Sequence, residues 1–176
     1  MKIAVIVGSL SQASINKKLA KSLEEFMPSH VELVYADIDL PLFDYELEPE
    51  FPKKAQVLKD LIEGSDGVLL VSPEYNRSFS GVLKNAIDWA SRPWGKNSFD
   101  GKPVGIIGAS IGQLGTTQAQ SHLRNVMIHL NAKVLGQPEM YINATTTIDQ
   151  QGRVVEGSRE LFENFAKTFV AHVKSS

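Results

Sequence analysis

The feature that most constrains the fold of this chain is a repeated alternation between short apolar runs and longer amphipathic segments. Uninterrupted apolar runs rich in β-branched residues are typical of strands that are buried on both faces of a sheet. Five such runs occur, at residues 3–7, 31–36, 67–72, 103–109 and, with an interruption, 132–142. Each run is followed by a segment in which apolar residues recur at helical spacing. The sequence therefore predicts consecutive βα units.

Alternation of this kind is typical of α/β proteins with a parallel sheet. The chain has 176 residues, enough for one domain with a sizeable core, and no repeat or linker divides it. We therefore expect a single domain over residues 1–176, with a doubly wound, five-stranded parallel sheet and helices on both faces. Ligands of such folds bind beyond the carboxyl ends of the strands, where the loops after strands one, three and four would meet.

Composition excludes several classes of function. The net charge of −2 argues against a nucleic-acid binder and against a membrane-surface protein. The absence of cysteine excludes disulfides, thiolate metal sites and a cysteine nucleophile, and the four histidines lack metal-ligand spacing. The apolar N-terminus is too short for a signal sequence, and no run approaches the ~18 residues of a membrane span. We expect a cytoplasmic protein without a bound metal.

The loop after the first run, loop one (residues 8–16), is rich in small polar side chains and carries no charge. A helix that begins near Ser14 would direct free N–H groups and the positive end of its dipole into this loop. Neither a P-loop nor a dinucleotide fingerprint is present. The pattern favours a phosphate site, and the alternative is a capped turn with Ser14 as the N-cap. The candidate donors are Ser9, Ser11, Ser14 and Asn16.

Two further loops have compositions that suit a planar ligand. Loop three (residues 72–81) combines an aromatic ring, backbone amides and few charges, as a flat heteroaromatic ligand requires. Loop four (residues 108–117) is rich in glycine, which allows backbone groups to approach a ligand. The alternatives are a stiff loop whose Tyr75 packs on its neighbours and an ordinary strand-to-helix turn. The expected N-caps of the helices that follow are Ser80 and either Thr116 or Thr117.

Three stretches of the chain resemble a known family. They are GSLSQASINKKLA (8–20), SPEYNRSFSGVLKNAIDWASRP (72–93) and GASIGQLGTTQAQSHLR (108–124), of which the second is the most specific. Over roughly residues 2 to 142, the chain is similar to the NADPH-dependent FMN reductases of the flavodoxin-like superfamily, which include quinone, azo-dye and chromate reductases. The resemblance implies a flavodoxin-like fold.

The resemblance also implies where FMN would bind. Matching positions place the FMN phosphate at Ser9, Ser14 and Asn16. They place Pro73, Glu74, Tyr75 and Asn76 along the isoalloxazine ring, and Ser110, Ile111 and Gly112 at its pyrimidine edge or at the ribityl chain. Many members carry arginine where this chain has Ser11. A lost charge-assisted hydrogen bond there would weaken phosphate binding by about 1–3 kcal/mol, and Lys17 is the nearest cation in the sequence.

The function implied by the resemblance is transfer of two electrons from NADPH or NADH, through FMN, to quinones, azo compounds or similar acceptors by a ping-pong mechanism. No catalytic side chain is required, and Tyr75 is expected to shape the face that substrates approach. The resemblance further implies a homodimer or homotetramer. Two alternatives stay open. A flavodoxin-type electron carrier would usually be more acidic and have aromatic walls on two loops, whereas a non-enzymatic flavin- or nucleotide-sensing module would bind a partner without turnover.

Overall fold

The computed structural model describes all 176 residues and contains the predicted alternation of strands and helices. The strands are β1 (Lys2–Val7), β2 (Glu32–Tyr35), β3 (Gly67–Val71), β4 (Glu74–Tyr75), β5 (Ser78–Phe79), β6 (Pro103–Ser110), β7 (Lys133–Val134) and β8 (Met140–Asn143). The helices are α1 (Ile15–Glu24), α2 (Lys53–Glu63), α3 (Gly81–Ala90), α4 (Thr117–His129), α5 (Ala144–Thr147) and α6 (Arg159–Ser175). Short 3-10 turns lie at Tyr45–Glu50 and Glu156–Ser158.

The main sheet is entirely parallel and has the order β2-β1-β3-β6, with both β7 and β8 paired to β6. Strands β7 and β8 pair with successive parts of β6 and are therefore two halves of the predicted fifth strand. The segment between them contains Pro138, which has no N–H for a ladder hydrogen bond. This order is that of the flavodoxin-like fold. The predicted α/β class and doubly wound parallel sheet are confirmed.

Hydrophobic cores cover both faces of this sheet. Ile3 and Val5 of β1 contribute to the core that α1 and α6 cover, whereas Ala4 and Ile6 contribute to the core beneath α2, α3 and α4. Because neighbouring residues of a strand point to opposite faces, burial on both faces explains the uninterrupted apolar runs in the sequence. No helix has the combination of length and apolar character that spanning a bilayer requires.

The strand order places a switch point between β1 and β3. From β1 the chain continues to β2 on one side, whereas from β3 it continues to β6 on the other. The loops that follow β1 and β3 therefore leave the sheet in opposite directions and open a crevice at its carboxyl edge.

Candidate functional site

Loop one begins inside this crevice. The N–H of Gly8 donates to the carbonyl of Val71 at 2.8 Å, which places the start of the loop beside the end of β3. Ser14 is the N-cap of α1, and its hydroxyl oxygen accepts a hydrogen bond from the N–H of Lys17 at 3.2 Å. Capping uses the oxygen of Ser14 as an acceptor and leaves its proton available. The capped turn and the phosphate site are therefore compatible interpretations.

The donor set of loop one fits the phosphate end of FMN. The backbone N–H groups of residues 10–16 have no acceptor within the protein, and neither have the hydroxyls of Ser9 and Ser11. The first turn of α1 contains no acidic residue that would repel an anion. Free backbone N–H groups at the N-terminus of a helix whose first turn has no acidic residue are the chemistry that a phosphate dianion requires.

Lys17 supplies a cation to the same loop. Its ammonium group folds back to lie 3.5 Å from the carbonyl oxygen of Leu10, and the side chain is half-buried. The positive charge therefore lies at the loop that lacks arginine at Ser11.

Asn16 ties loop one to the end of β6. Its Nδ2 donates to the carbonyl of Ala109 at 2.9 Å, and the N–H of Ala109 donates to its Oδ1, also at 2.9 Å. The side chain is buried, with only 3% of its surface exposed. One N–H of Nδ2 is left for a phosphate, so contact between Asn16 and FMN stays a prediction. The observed role of the side chain is to hold two parts of the carboxyl edge together.

Loop three contains a hairpin that the sequence did not predict. Strands β4 and β5 pair antiparallel, and the two residues that connect them, Asn76 and Arg77, have φ angles of 50° and 64°. Left-handed conformation at both central residues is typical of a type I′ turn. Pro73 is buried at the base of the hairpin, whereas Tyr75 is 59% exposed on β4. The Tyr75 ring is therefore free to face a ligand or substrate.

Glu74 connects this hairpin to α4. Its Oε2 accepts hydrogen bonds from the N–H groups of Gln118 at 2.9 Å and Ala119 at 3.1 Å. Thr116 occupies the N-cap position of α4, but its side chain makes no capping hydrogen bond. The expectation that a threonine hydroxyl caps α4 was therefore wrong, because a carboxylate from loop three takes that place. By contrast, the predicted N-cap of α3 is confirmed, since Ser80 accepts from Leu83 N–H at 3.4 Å.

Loop four is organised by Ser110. The Ser110 hydroxyl donates to the carbonyl of Gly115 at 2.8 Å and accepts from the N–H of Gly112 at 3.2 Å. Ile111 projects outward with 72% of its surface exposed. The backbone N–H of Ile111 has no acceptor within the protein. Contact between these residues and FMN stays a prediction, with backbone groups as the available donors.

A groove of about 500 Å³ runs beside loop one toward the end of β2. Its wall includes Tyr35, whose pKa is raised by burial and by a hydrogen bond to Glu24. A hydrogen bond from Lys54 lowers the pKa of Asp37 on the same wall. Tyr35 is therefore neutral and Asp37 ionised near neutral pH, so these two groups give the groove a constant charge there.

Comparison with known proteins places this chain among the NADPH-dependent FMN reductases. The family model described as NADPH-dependent FMN reductase matches residues 1–147. A 2-hydroxy-1,4-benzoquinone reductase of a Burkholderia species is 47% identical over 177 residues, which cover 99% of this chain and 97% of that protein. A quinone reductase of Pseudomonas putida is 38% identical over 175 residues, covering 98% and 94%. The solved flavoenzyme NAD(P)H:(acceptor) oxidoreductase of Paracoccus denitrificans has a TM-score of 0.93 and 40% identity, covering 99% and 97%.

Proposed function

The chain belongs to the NADPH-dependent FMN reductase family, and on that premise we propose that it reduces quinones, azo compounds or similar acceptors by a ping-pong mechanism. It is an FMN-dependent NAD(P)H oxidoreductase. In the overall reaction, one NAD(P)H and one proton convert a quinone to a hydroquinone and release NAD(P)⁺. FMN, when bound, supplies the hydride chemistry, and the protein supplies placement and electrostatics.

The proposed FMN-binding residues are supported mainly by one observation. Loop one, at the switch point between β1 and β3, has backbone N–H groups and hydroxyls without an acceptor in the protein. Loop one would hold the phosphate through its backbone N–H groups, and the side-chain donors proposed to assist are Ser9, Ser11, Ser14 and Asn16. Residues 73–76 would line the ring, with Glu74 and Asn76 acting through their backbone. Ser110, Ile111 and Gly112 would meet its edge. Neither loop three nor loop four offers a nucleophile, and none is required.

The acceptor side of the site is proposed to be open. Tyr75 is the only aromatic residue in loops three and four that is largely exposed, and the exposed apolar side chains of loop four are the aliphatic Ile111 and Leu114. An open face lets the reductant leave before the acceptor enters. This arrangement supports a reductase over a carrier with aromatic walls on two loops.

Purified protein with FMN tests this proposal directly. We expect its visible absorption spectrum to show bound flavin, to bleach with NADPH under anaerobic conditions and to recover on addition of a quinone. Initial rates at several quinone concentrations should give parallel double-reciprocal lines. Absence of flavin binding would refute the proposal, whereas flavin binding without NADPH oxidation would favour a carrier or a sensing module.

Ser11→Arg is expected to tighten FMN binding by about tenfold or more, because a charge-assisted hydrogen bond to phosphate contributes about 1.5–3 kcal/mol. Fluorescence titration of apo-protein with FMN measures the dissociation constant. Riboflavin, which lacks the phosphate, is the matched ligand, and its affinity should change little. Lys17→Met should weaken FMN binding and spare riboflavin. Equal effects on both ligands would contradict a phosphate site at loop one.

We also infer a cytoplasmic homodimer or homotetramer. A groove of about 650 Å³ lies between α3 and α4, and Trp94 on its rim has 85% of its surface exposed. Ile128 of α4 is also exposed, by 67%. A largely exposed tryptophan beside a partly apolar groove is typical of protein interfaces, which supports self-association through the groove. Light scattering on the FMN-loaded protein gives the mass, and a monomer at micromolar concentration would contradict the inference.

A further inference from the structure

The hairpin of loop three is fastened to α4 at both of its strands. On β4, Oε2 of Glu74 accepts from the N–H groups of Gln118 and Ala119 at 2.9 and 3.1 Å. On β5, the hydroxyl of Ser78 lies 3.0 Å from Nδ1 of His122, one turn further along the same helix. The hairpin and the first two turns of α4 are therefore joined by one charged contact, through the Glu74 carboxylate, and one contact between a hydroxyl and an imidazole.

The charged contact serves both elements. Helix α4 has no acidic residue in its first turn and no cap from Thr116, so Glu74 supplies the only carboxylate hydrogen-bonded to its N-terminal N–H groups. A carboxylate at this position also interacts favourably with the helix dipole. The hairpin has two residues in each strand and is too small to be stable alone. Phe79 packs β5 against the core beneath α3 and α4, and the Glu74 contact ties β4 to the N-terminus of α4.

We propose that Glu74 is a positioning residue of the flavin site, whose carboxylate fixes loop three against loop four. The proposal rests on the proposed function, because these two loops are the ones assigned to the isoalloxazine ring. Glu74 precedes Tyr75 on β4, and α4 continues directly from loop four. Release of the Glu74 contact would therefore move the Tyr75 wall relative to the backbone of residues 110–112. The carboxylate acts through α4 and does not itself contact flavin.

Hydrogen exchange of the apo-protein tests the contact without any turnover. In Glu74→Ala, the amides of Gln118 and Ala119 and those of residues 74–79 should exchange at least about tenfold faster than in the wild type, because hydrogen bonds to a charged group are lost. Glu74→Gln keeps an acceptor oxygen at the same reach and should stay within about threefold of wild type. Ser78→Ala removes only the single, exposed hydroxyl contact to His122 and should have a smaller effect than Glu74→Ala, which removes two hydrogen bonds to a carboxylate.

Flavin binding by the same variants tests the functional consequence. We expect the FMN dissociation constant of Glu74→Ala to rise by about tenfold, equivalent to about 1.4 kcal/mol, with a similar loss for riboflavin, since the ring rather than the phosphate is affected. Glu74→Gln should restore most of this affinity. Glu160→Ala removes an exposed first-turn carboxylate from α6 and is the matched control that should leave FMN affinity unchanged.

Two results would overturn the proposal. One is unchanged exchange at Gln118 and Ala119 in Glu74→Ala, which would show that the contact does not hold the hairpin. The other result concerns Glu74→Gln, if this variant keeps slow exchange at these amides but loses as much flavin affinity as Glu74→Ala. That result would mean that the carboxylate contacts the flavin directly. If the exchange results hold but the wild type binds no flavin, the proposed function fails while the structural contact stands.

Discussion

Asn16→Asp is expected to lower the free energy of unfolding by about 3–5 kcal/mol, which is a large part of the roughly 5–15 kcal/mol that stabilises a typical domain. The introduced carboxylate could still accept from the N–H of Ala109. Its second oxygen, however, would face the carbonyl oxygen of Ala109 at the 2.9 Å now spanned by an N–H···O bond. Two acceptors would then oppose each other, with a buried negative charge against a carbonyl oxygen.

Urea unfolding at several pH values measures this effect. Burial raises the pKa of a carboxyl group in the folded state, so the loss should be largest above that pKa and should shrink as the pH falls from about 7 to about 4. Once protonated, the group can donate to the carbonyl of Ala109. Asn164→Asp, on the exposed face of α6, is the control and should cost less than about 0.5 kcal/mol. A loss below about 1 kcal/mol in Asn16→Asp would contradict the buried role of Asn16.

Gly108→Ala is expected to cost about 3 kcal/mol of unfolding free energy and to weaken FMN binding at the same time. A Cβ at this position would lie 2.2 Å from the carbonyl oxygen of Ser72 and 2.3 Å from Oγ1 of Thr116. The first of these atoms belongs to the backbone that leads into Pro73, so it can move only if the base of loop three moves. Both proposed walls of the ring site would therefore be displaced by one methyl group.

Thermal or urea unfolding, together with FMN titration, measures the two effects on one preparation of Gly108→Ala. Gly136→Ala is the matched control, because a Cβ there would meet no atom within 4 Å and its φ is not positive. We expect the control to leave both stability and FMN affinity close to wild type. Tight FMN binding by Gly108→Ala would show that the contact between β6 and loop three does not shape the site.

Most of the fold could be predicted because its determinants are local. Continuous apolar runs such as 67–72 indicate strands that are buried on both faces. Apolar residues that recur at helical spacing indicate helices with one buried face. The hairpin at Glu74–Phe79 could not be predicted in this way. Its strands are too short to show an alternating pattern, and its turn uses Asn76 and Arg77 rather than the asparagine-glycine pair that signals a type I′ turn.

The candidate site was predictable in its location but not in its internal contacts. The loops could be placed together because parallel strands bring their carboxyl ends to one edge. The two hydrogen bonds between Asn16 and the backbone of Ala109 could not be predicted from the sequence, because every residue except proline offers the same backbone N–H and carbonyl. The cap that Glu74 provides joins residues 44 positions apart and depends on the hairpin. The N-cap preference of threonine therefore predicted a hydroxyl at the N-terminus of α4, where the structure has a carboxylate.

The interrupted fifth strand has a consequence for how this protein behaves at high concentration. An open parallel sheet exposes unpaired backbone groups at its two outer strands, where another chain can add by hydrogen bonding. At one border, the strand positions are filled by β7, with two residues, and β8, with four, separated by an irregular segment. At the other, β2 has only four residues and begins with the exposed Glu32. Neither border offers a long, flat template, so the fold resists aggregation by strand addition.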